Sequence, residues 1–200
     1  MIKVGITGGI GAGKSFVSKI FASMGIPIYN ADFRAKWILQ NNPILIEEIK
    51  QVFGANIYTA ENKLNRLALA KIVFNDKKLL AKLNSMVHPA VAKDSDDWFV
   101  NLSRSKAYAL KEAALLYETG THEKLDKVIV VSAPREVRIN RVVHRDSASR
   151  ADVLARMDKQ LPESDKVKLA DYVIVNDGKQ TIIPQIWKVH QQVIKLKAKN

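Results

Sequence analysis

The sequence predicts an α/β fold built around a mostly parallel sheet. Short apolar runs of strand length alternate along the chain with longer stretches of helical periodicity, which is the pattern of βαβ units. Two of the apolar runs are rich in Val and Ile, as expected of strands that are covered on both faces. The 200 residues are 47% hydrophobic and 26% charged, so the chain has the size and the apolar content of one compact domain with insertions.

Five segments have the character of strands, and the fourth and fifth are the runs rich in Val and Ile. In chain order they are Lys3–Thr7, Pro27–Asn30, Tyr108–Lys111, Val128–Ser132 and Tyr172–Val175. We therefore expect a five-stranded sheet that is flanked by helices.

The second and third strands are separated by about seventy residues of helical pattern. Apolar side chains recur at helical spacing in residues 44–53, 64–74 and 79–87. A simple crossover needs far less chain, so we expect an inserted helical subdomain at residues 33–104. The proline of His88-Pro89 disfavours helical geometry at His88, which predicts that the helix of residues 79–87 ends there.

A second excursion, residues 135–166, follows the fourth strand. From Thr181 an amphipathic pattern predicts a C-terminal helix that packs on the sheet and ends in a solvated, lysine-rich tail. The core of the single domain is then expected in residues 1–32, 105–134 and 167–200.

Composition excludes several classes of protein. The chain has no cysteine, which rules out disulfides, thiolate catalysis and thiolate metal sites. Its apolar runs are far shorter than the ~20 residues that cross a bilayer, and its start lacks the features of a signal peptide. A cytoplasmic protein is therefore expected. The net charge of +12 attracts polyanions, whether nucleic acid, anionic membrane or phosphorylated small molecules.

Residues 8–15, GGIGAGKS, match the phosphate-binding motif G-x-x-x-x-G-K-[ST] in full. An apolar strand precedes the motif and a helical pattern follows it. Glycines allow backbone N–H groups to approach phosphate oxygens, and the N-terminus of the following helix attracts the anion. We expect Lys14 to reach the β- and γ-phosphates of a nucleoside triphosphate and Ser15 to bind Mg²⁺. The expected nucleotide-binding residues of this loop are Gly9, Gly11, Ala12, Gly13, Lys14, Ser15 and Phe16.

The reaction class follows from what surrounds this loop. The chain is too short for a motor or helicase core, and it lacks the N-K-x-D motif that is usual in GTPases. A small kinase places an acceptor site above the strand ends and adds a substrate-binding insertion and an arginine-bearing lid. The two excursions at residues 33–104 and 135–166 fit that plan.

Asp32 is the candidate acceptor-side carboxylate because it follows the second strand, whose carboxyl end should adjoin the phosphate-binding loop. It could accept a proton from the acceptor hydroxyl or orient it. Residues alone equally allow Asp32 to cap a helix that begins near Phe33. Glu112 and Glu118, near the end of the third strand, could orient metal-bound water or form caps and salt bridges.

Arginines are concentrated in the second excursion. Six of the nine lie between residues 135 and 156, and Arg138, Arg141 and Arg145 share a helical face at spacing i, i+3, i+7. Guanidinium groups bind phosphate oxygens in a fork and can neutralise charge on a transferring phosphoryl group. This pattern favours a catalytic lid over a solvated basic surface.

Along nearly its whole length the chain resembles the dephospho-CoA kinase family. Residues 5–15 resemble the extended phosphate-binding loop of the family, a more specific signature than the generic motif. The other matching segments are Asn30-Ala31-Asp32 (family D-A-D), Leu64-Asn65-Arg66 (L-x-R), His88-Pro89 (H-P), residues 115–118 (L-L-[FY]-E), Arg141 with Arg145-Asp146 and Gln160 (lid), and residues 170–178 (A-D-x-V-I-x-N-x-G).

The resemblance implies ATP-dependent phosphorylation of the ribose 3′-hydroxyl of dephospho-CoA, giving CoA and ADP, with Mg²⁺ as cofactor. It also implies a P-loop kinase-like parallel five-stranded sheet flanked by helices, with a helical substrate-binding insertion and an arginine-bearing lid. On this basis Lys14, Asp32 and Arg141 are the catalytic candidates. Asn176 and Gly178 would lie near the adenine, and Arg66 and His88 join Asp32 as candidate contacts of dephospho-CoA.

The chain departs from the pattern of the family at three places. Asn30 replaces the first Asp of D-A-D, which leaves Asp32 as the base of that segment. Phe16 replaces a Thr and removes a possible hydroxyl contact to the α-phosphate. Glu112-Ala113-Ala114 stands where many members have apolar residues and a proline, which adds a carboxylate near the metal.

Two other functions compete with this one. Another small kinase, acting on a nucleoside, nucleotide or sugar acid, would share the loop and lid. A nucleic-acid-binding P-loop protein would explain the +12 charge, but the sequence lacks an aromatic stacking stripe, and ATP and dephospho-CoA are themselves polyanions. We therefore expect no nucleic-acid or membrane partner and a monomer or weak homo-oligomer.

Overall fold

The computed structural model describes residues 1–74, 76–102 and 106–197, without the side chain of Phe74. The chain divides into two compact units. The first comprises residues 1–30 and 101–200 and contains the sheet; the second comprises residues 31–100 and is helical. Across the described ranges, we find no helix whose length and apolar content would let it traverse a bilayer.

The five predicted strands are confirmed, each to within one residue at either end. They are β1 (Ile2–Thr7), β2 (Ile28–Asn30), β3 (Tyr108–Glu112), β4 (Lys127–Ser132) and β5 (Tyr172–Val175). They form one parallel sheet in the order β2-β3-β1-β4-β5. Because all five run in the same direction, their carboxyl ends lie at one edge of the sheet, where ligands of such folds bind.

The helices of the described residues include those expected after the phosphate-binding loop, at residues 44–53, 64–74 and 79–87, and after Thr181. They are α1 (Lys14–Ser23), α2 (Ala31–Asn41), α3 (Pro43–Phe53), α4 (Arg66–Phe74), α5 (Lys77–Asn101), α6 (Arg135–Asp146), α7 (Arg150–Met157), α8 (Glu163–Leu169) and α9 (Ile182–Lys197), with short 3₁₀ turns at Ala55–Ile57 and Thr121–Lys124.

The core of the first unit lies between the sheet and two helices. Phe21 of α1 and three residues of α9 belong to the buried cluster that the strands also form. The three residues of α9 are Ile186, Val189 and Val193, spaced so that one stripe of the helix is covered. The expected packing of the C-terminal helix on the sheet is thereby confirmed. The end of the lysine-rich tail, residues 198–200, lies outside the described residues.

The helical unit has an apolar cluster of its own, to which α2, α3, α4 and α5 contribute. Ile49 is fully buried at its centre. The expected helix end before Pro89 is wrong, since α5 continues through this residue. Val87 before the proline and Val91 after it both belong to the cluster. Apolar contacts on both sides of Pro89 thus keep the helix continuous, although the proline nitrogen cannot donate a hydrogen bond.

Candidate active site

The phosphate-binding loop leaves the carboxyl end of β1 and enters α1, as the motif predicts. Gly11 and Gly13 have φ angles of 79° and 95°, a region that other residues rarely adopt. A Cβ atom on Gly13 would lie 2.2 Å from the side-chain amide nitrogen of Asn176. Both the backbone conformation and the close neighbour therefore require glycine at position 13.

A cavity of about 250 Å³ opens beside this loop. Lys14 lies on its wall, and the Lys14 ammonium donates a hydrogen bond to the carbonyl of Gly8 at 3.0 Å. The N-terminus of α1, which attracts anions, borders the same space. The residues that line the cavity are Gly11, Gly13, Lys14, Ser15, Phe16, Arg141 and Arg145.

Glu112 brings a carboxylate to the loop at the end of β3. The Ser15 hydroxyl donates to Glu112 Oε1 at 2.6 Å, and the Asn30 amide donates to Oε2 at 3.2 Å. The pairing of β2 with β3 places Asn30 directly opposite Glu112. Glu112 is only 5% exposed, so these two donors hold a buried carboxylate against the Ser15 hydroxyl. Of the two glutamates noted after the third strand, this is the one beside the loop.

Magnesium fits this arrangement. Within the described ranges, no group of three or more His, Cys, Asp or Glu side chains is placed to hold a metal ion. Mg²⁺ in nucleotide sites needs no such group, because one or two protein oxygens, water and substrate phosphates complete its coordination. The Ser15 hydroxyl oxygen and a Glu112 carboxylate oxygen lie 2.6 Å apart. Both are oxygen ligands, the type that Mg²⁺ prefers.

Arg141 of α6 reaches the loop that follows β5. Its guanidinium donates to the backbone carbonyl of Asn176 at 3.0 Å and to the side-chain oxygen of Asn176 at 3.4 Å. The Asn176 amide nitrogen in turn donates to the Ala12 carbonyl at 2.8 Å. Asn176 therefore connects α6 to the phosphate-binding loop through hydrogen bonds. Gly178, two residues further, is exposed with φ at 81°.

The arginines of residues 135–156 have different environments. Arg145 lines the cavity with Arg141, and its guanidinium pairs with Asp146 at 2.7 Å. Arg138, expected on the same face, is instead buried, with Glu163 3.3 Å from its guanidinium. Arg150 forms a surface pair with Glu136 at 2.8 Å. Arg145 is thus a cavity residue that the site assignment from sequence omitted, although its helical spacing from Arg141 could have indicated it.

Asp32, Arg66 and His88 lie in the helical unit and are exposed. Helix α2 begins at Ala31 rather than near Phe33, so Asp32 lies inside its first turn instead of capping it. A carboxylate in a first turn interacts favourably with the helix dipole. Arg66 is the first residue of α4, and His88 lies within α5.

Sequence comparison identifies relatives over almost the whole chain. The family model for dephospho-CoA kinase (CoaE) matches residues 2–181. A dephospho-CoA kinase of Bacteroides fragilis is 35% identical over 185 residues, covering 92% of this chain and 89% of the relative.

Two solved structures agree. A Thermus thermophilus protein, TT1252, superposes with a TM-score of 0.83 at 34% identity, covering 96% of each chain. The dephospho-CoA kinase from Campylobacter jejuni gives a TM-score of 0.71 at 32% identity, covering 96% of this chain and 97% of that one. From the family match, these identities and the shared fold, we conclude that the chain belongs to the dephospho-CoA kinase family.

Proposed function

We propose that this protein transfers the γ-phosphoryl group of ATP to the ribose 3′-hydroxyl of dephospho-CoA, giving CoA and ADP in the final step of CoA biosynthesis. The observation that carries the proposal is the family match over residues 2–181. The cavity beside the phosphate-binding loop supports it, because cationic side chains and glycine backbone line that cavity together. We further propose that the protein acts in the cytoplasm, as a monomer or weak homo-oligomer.

The triphosphate binds along the loop. Backbone N–H groups at Gly11, Gly13 and the start of α1 surround the phosphates, where larger side chains would obstruct their approach. Gly9 shapes the loop through its carbonyl, which accepts from the Ala12 N–H. Lys14 exchanges its contact with the Gly8 carbonyl for the β- and γ-phosphates. Phe16 lies on the wall of the cavity, and Ala12 belongs to the loop behind it. Asn176 with Gly178 lies toward the adenine.

Ser15 and Glu112 would hold Mg²⁺ with their side-chain oxygens. When bound, the ion neutralises charge on the β- and γ-phosphates. Asn30 keeps the Glu112 carboxylate in place through its amide hydrogen bond. Of these two residues, Glu112 of β3 therefore supplies the carboxylate, and Asn30 of β2 supplies a neutral hydrogen-bond donor.

Positioning and charge stabilisation account for most of the catalysis of phosphoryl transfer. Arg141 turns from Asn176 to the transferring group, where its planar fork bonds two oxygens at once. Arg145, on the wall of the same cavity, adds a second cation. Residues 135–166 act as the lid that carries both.

Asp32 orients the acceptor hydroxyl and accepts its proton as the new P–O bond forms. This role is supported by its position two residues after Asn30, the last residue of β2. The helical subdomain, residues 33–104, binds the remainder of dephospho-CoA, with Arg66 and His88 as contacts.

The substrate is tested by measuring ADP release with dephospho-CoA, adenosine, AMP and shikimate as alternative acceptors. Turnover with dephospho-CoA should exceed turnover with the other three. Equal or greater turnover with one of the others would replace the assigned acceptor.

The loop is tested with Lys14→Ala, and Lys19→Ala serves as the matched control because Lys19 is an exposed lysine of the same helix. Loss of the Lys14 charge should reduce kcat by ~10²-fold or more, about 2.7 kcal/mol of barrier. Lys19→Ala should retain wild-type kinetics. Near wild-type turnover in folded Lys14→Ala protein would contradict the assigned role of the loop.

A further inference from the structure

Two backbone N–H groups at the front of the phosphate-binding loop are held by side chains from a distant segment. Gly9 N–H donates to Glu163 Oε2 at 3.1 Å, and Ile10 N–H donates to Gln160 Oε1 at 2.8 Å. We call Gln160 and Glu163 the loop clamp. Glu163 is the first residue of α8, and Gln160 lies three residues before it. The clamp therefore holds backbone N–H groups of the loop that come before Lys14 and Ser15 in the chain.

Glu163 also fixes the chain segment that follows β4. Its Oε1 accepts a hydrogen bond from the Ala133 N–H at 3.3 Å, and its Oε2 lies 3.3 Å from the Arg138 guanidinium. Arg138 donates to the Ala133 carbonyl at 3.0 Å. The Glu163 and Arg138 side chains are only 16% and 10% exposed, so water competes little for these bonds.

The position of Gly9 shows how closely the clamp approaches the loop. A Cβ atom at Gly9 would lie 2.1 Å from the Arg138 guanidinium and 2.6 Å from Glu163 Oε2. A side chain at position 9 would therefore have to displace Arg138 and Glu163 from their present contacts with the loop.

The clamp segment is anchored from its other side by Glu118. Glu118 Oε1 accepts from the Leu161 N–H at 2.9 Å and pairs at 2.7 Å with Lys166, whose side chain is fully buried. Burial acts to raise the pKa of Glu118, but the hydrogen bonds from Lys166 and Leu161 outweigh it and hold that pKa below its usual range. Gln160 and Glu163 thus project from the end of the lid, residues 135–166, that Glu118 anchors through Leu161 and Lys166.

The clamp acts on the part of the loop that shapes the phosphate site. The Gly9 carbonyl accepts a hydrogen bond from the Ala12 N–H at 3.0 Å, which closes the turn leading to Gly13 and Lys14. Bonding of the Gly9 and Ile10 N–H groups fixes the peptide planes on which this turn depends. We propose that Gln160 and Glu163 are positioning residues that hold the loop in its phosphate-accepting shape and thereby raise the affinity for ATP. This inference rests on the proposed function for ATP as the ligand and is independent of the acceptor.

The test compares Glu163→Gln and Gln160→Ala with Glu136→Gln. Glu136 is the matched control, because it pairs with an arginine on the surface of the same unit. Calorimetry gives the Kd of ATP, and steady-state kinetics with dephospho-CoA give KM and kcat. Gln160→Ala removes the bond to the Ile10 N–H, and Glu163→Gln leaves one acceptor oxygen for the N–H groups of Gly9 and Ala133. Each variant thus loses one hydrogen bond and should raise Kd and KM for ATP about fivefold to tenfold. The kcat at saturating ATP should stay within about twofold, because uniform binding is what is lost.

A purely structural role predicts different results. Clamp variants that unfold at lower temperature but bind ATP with wild-type Kd well below that temperature would overturn the inference. If Glu163→Gln folds poorly, Gln160→Ala still tests the inference, because Gln160→Ala removes only a neutral side chain. Hydrogen exchange at the Ile10 amide should quicken in folded Gln160→Ala, and unchanged exchange would also refute the clamp. The ATP titration needs no acceptor, so loss of turnover with dephospho-CoA alone would count against the proposed function and not against the clamp.

Discussion

Arg141 has two possible roles, and its replacement by alanine should have a different effect for each. It lines the cavity with Lys14, yet its guanidinium bonds to Asn176 through two hydrogen bonds. If Arg141 meets the transferring phosphoryl group, Arg141→Ala should lower kcat. If it only ties α6 to Asn176, the change should lower stability and leave kcat intact.

The two outcomes differ in size. Removal of one charge-stabilising donor from an active site costs about 10²–10³ in kcat, equivalent to about 2.7–4 kcal/mol of barrier. Loss of the hydrogen bonds to Asn176 costs about 1 kcal/mol each, and in a chain of this length that lowers Tm by only a few degrees. We expect the kinetic effect to dominate and the ATP affinity of the enzyme to change little.

The assay combines kcat, calorimetric ATP affinity and Tm for Arg141→Ala, Arg141→Lys and Arg150→Ala. Arg141→Lys should restore only part of the rate, because an ammonium cannot form the bidentate fork. Arg150→Ala is the matched control, since neither Arg150 nor its exposed partner Glu136 lines the cavity. Equal and small effects on kcat at Arg141 and Arg150 would refute the catalytic role and leave the arginines as a basic surface.

Two further predictions concern carboxylates. Asp32→Asn keeps the side-chain shape and removes its basicity, so kcat should fall ~10²-fold, by more than any rise in the KM for ATP; a change in Tm alone would assign Asp32 only to the first turn of α2. Glu118 has a lowered pKa in the folded protein, so its contribution to stability is present above its unfolded pKa, near 4.3, and is lost as pH falls through the lower folded value. Denaturation of Glu118→Gln should therefore show lower stability than wild type at pH 7 and a smaller difference below pH 4, and a pH-independent difference would contradict the ion pair with Lys166.

The strands and the loop could be predicted because their signals are local. Parallel strands that are covered on both faces leave uninterrupted apolar runs, and the phosphate-binding motif places glycines at fixed spacing. The end of α5 was wrongly predicted at Pro89, because the local rule for proline takes no account of the contacts that Val87 and Val91 make. Tertiary packing outweighed the local preference.

No local pattern in the sequence indicates the contacts that the clamp makes, although Gln160 matches the lid pattern of the family. Glu163 follows a proline in a polar stretch and, from the sequence alone, could be any surface glutamate. Its partner Gly9 lies 154 positions away along the chain, and only the folded sheet brings the two together. Arg138 likewise shares a helical face with Arg141 in the sequence, but in the fold it is buried and pairs with Glu163.

The order of the strands also determines when this protein can fold during synthesis. β1 lies in the middle of the sheet, and its partners begin at Tyr108 and Lys127. The first strand and the phosphate-binding loop therefore leave the ribosome about a hundred residues before any neighbour in the sheet exists. The apolar cluster of the helical unit, by contrast, draws on one continuous stretch of chain and can form earlier. A nascent chain that stops before β3 would expose both edges of β1, which makes such truncated products prone to aggregate.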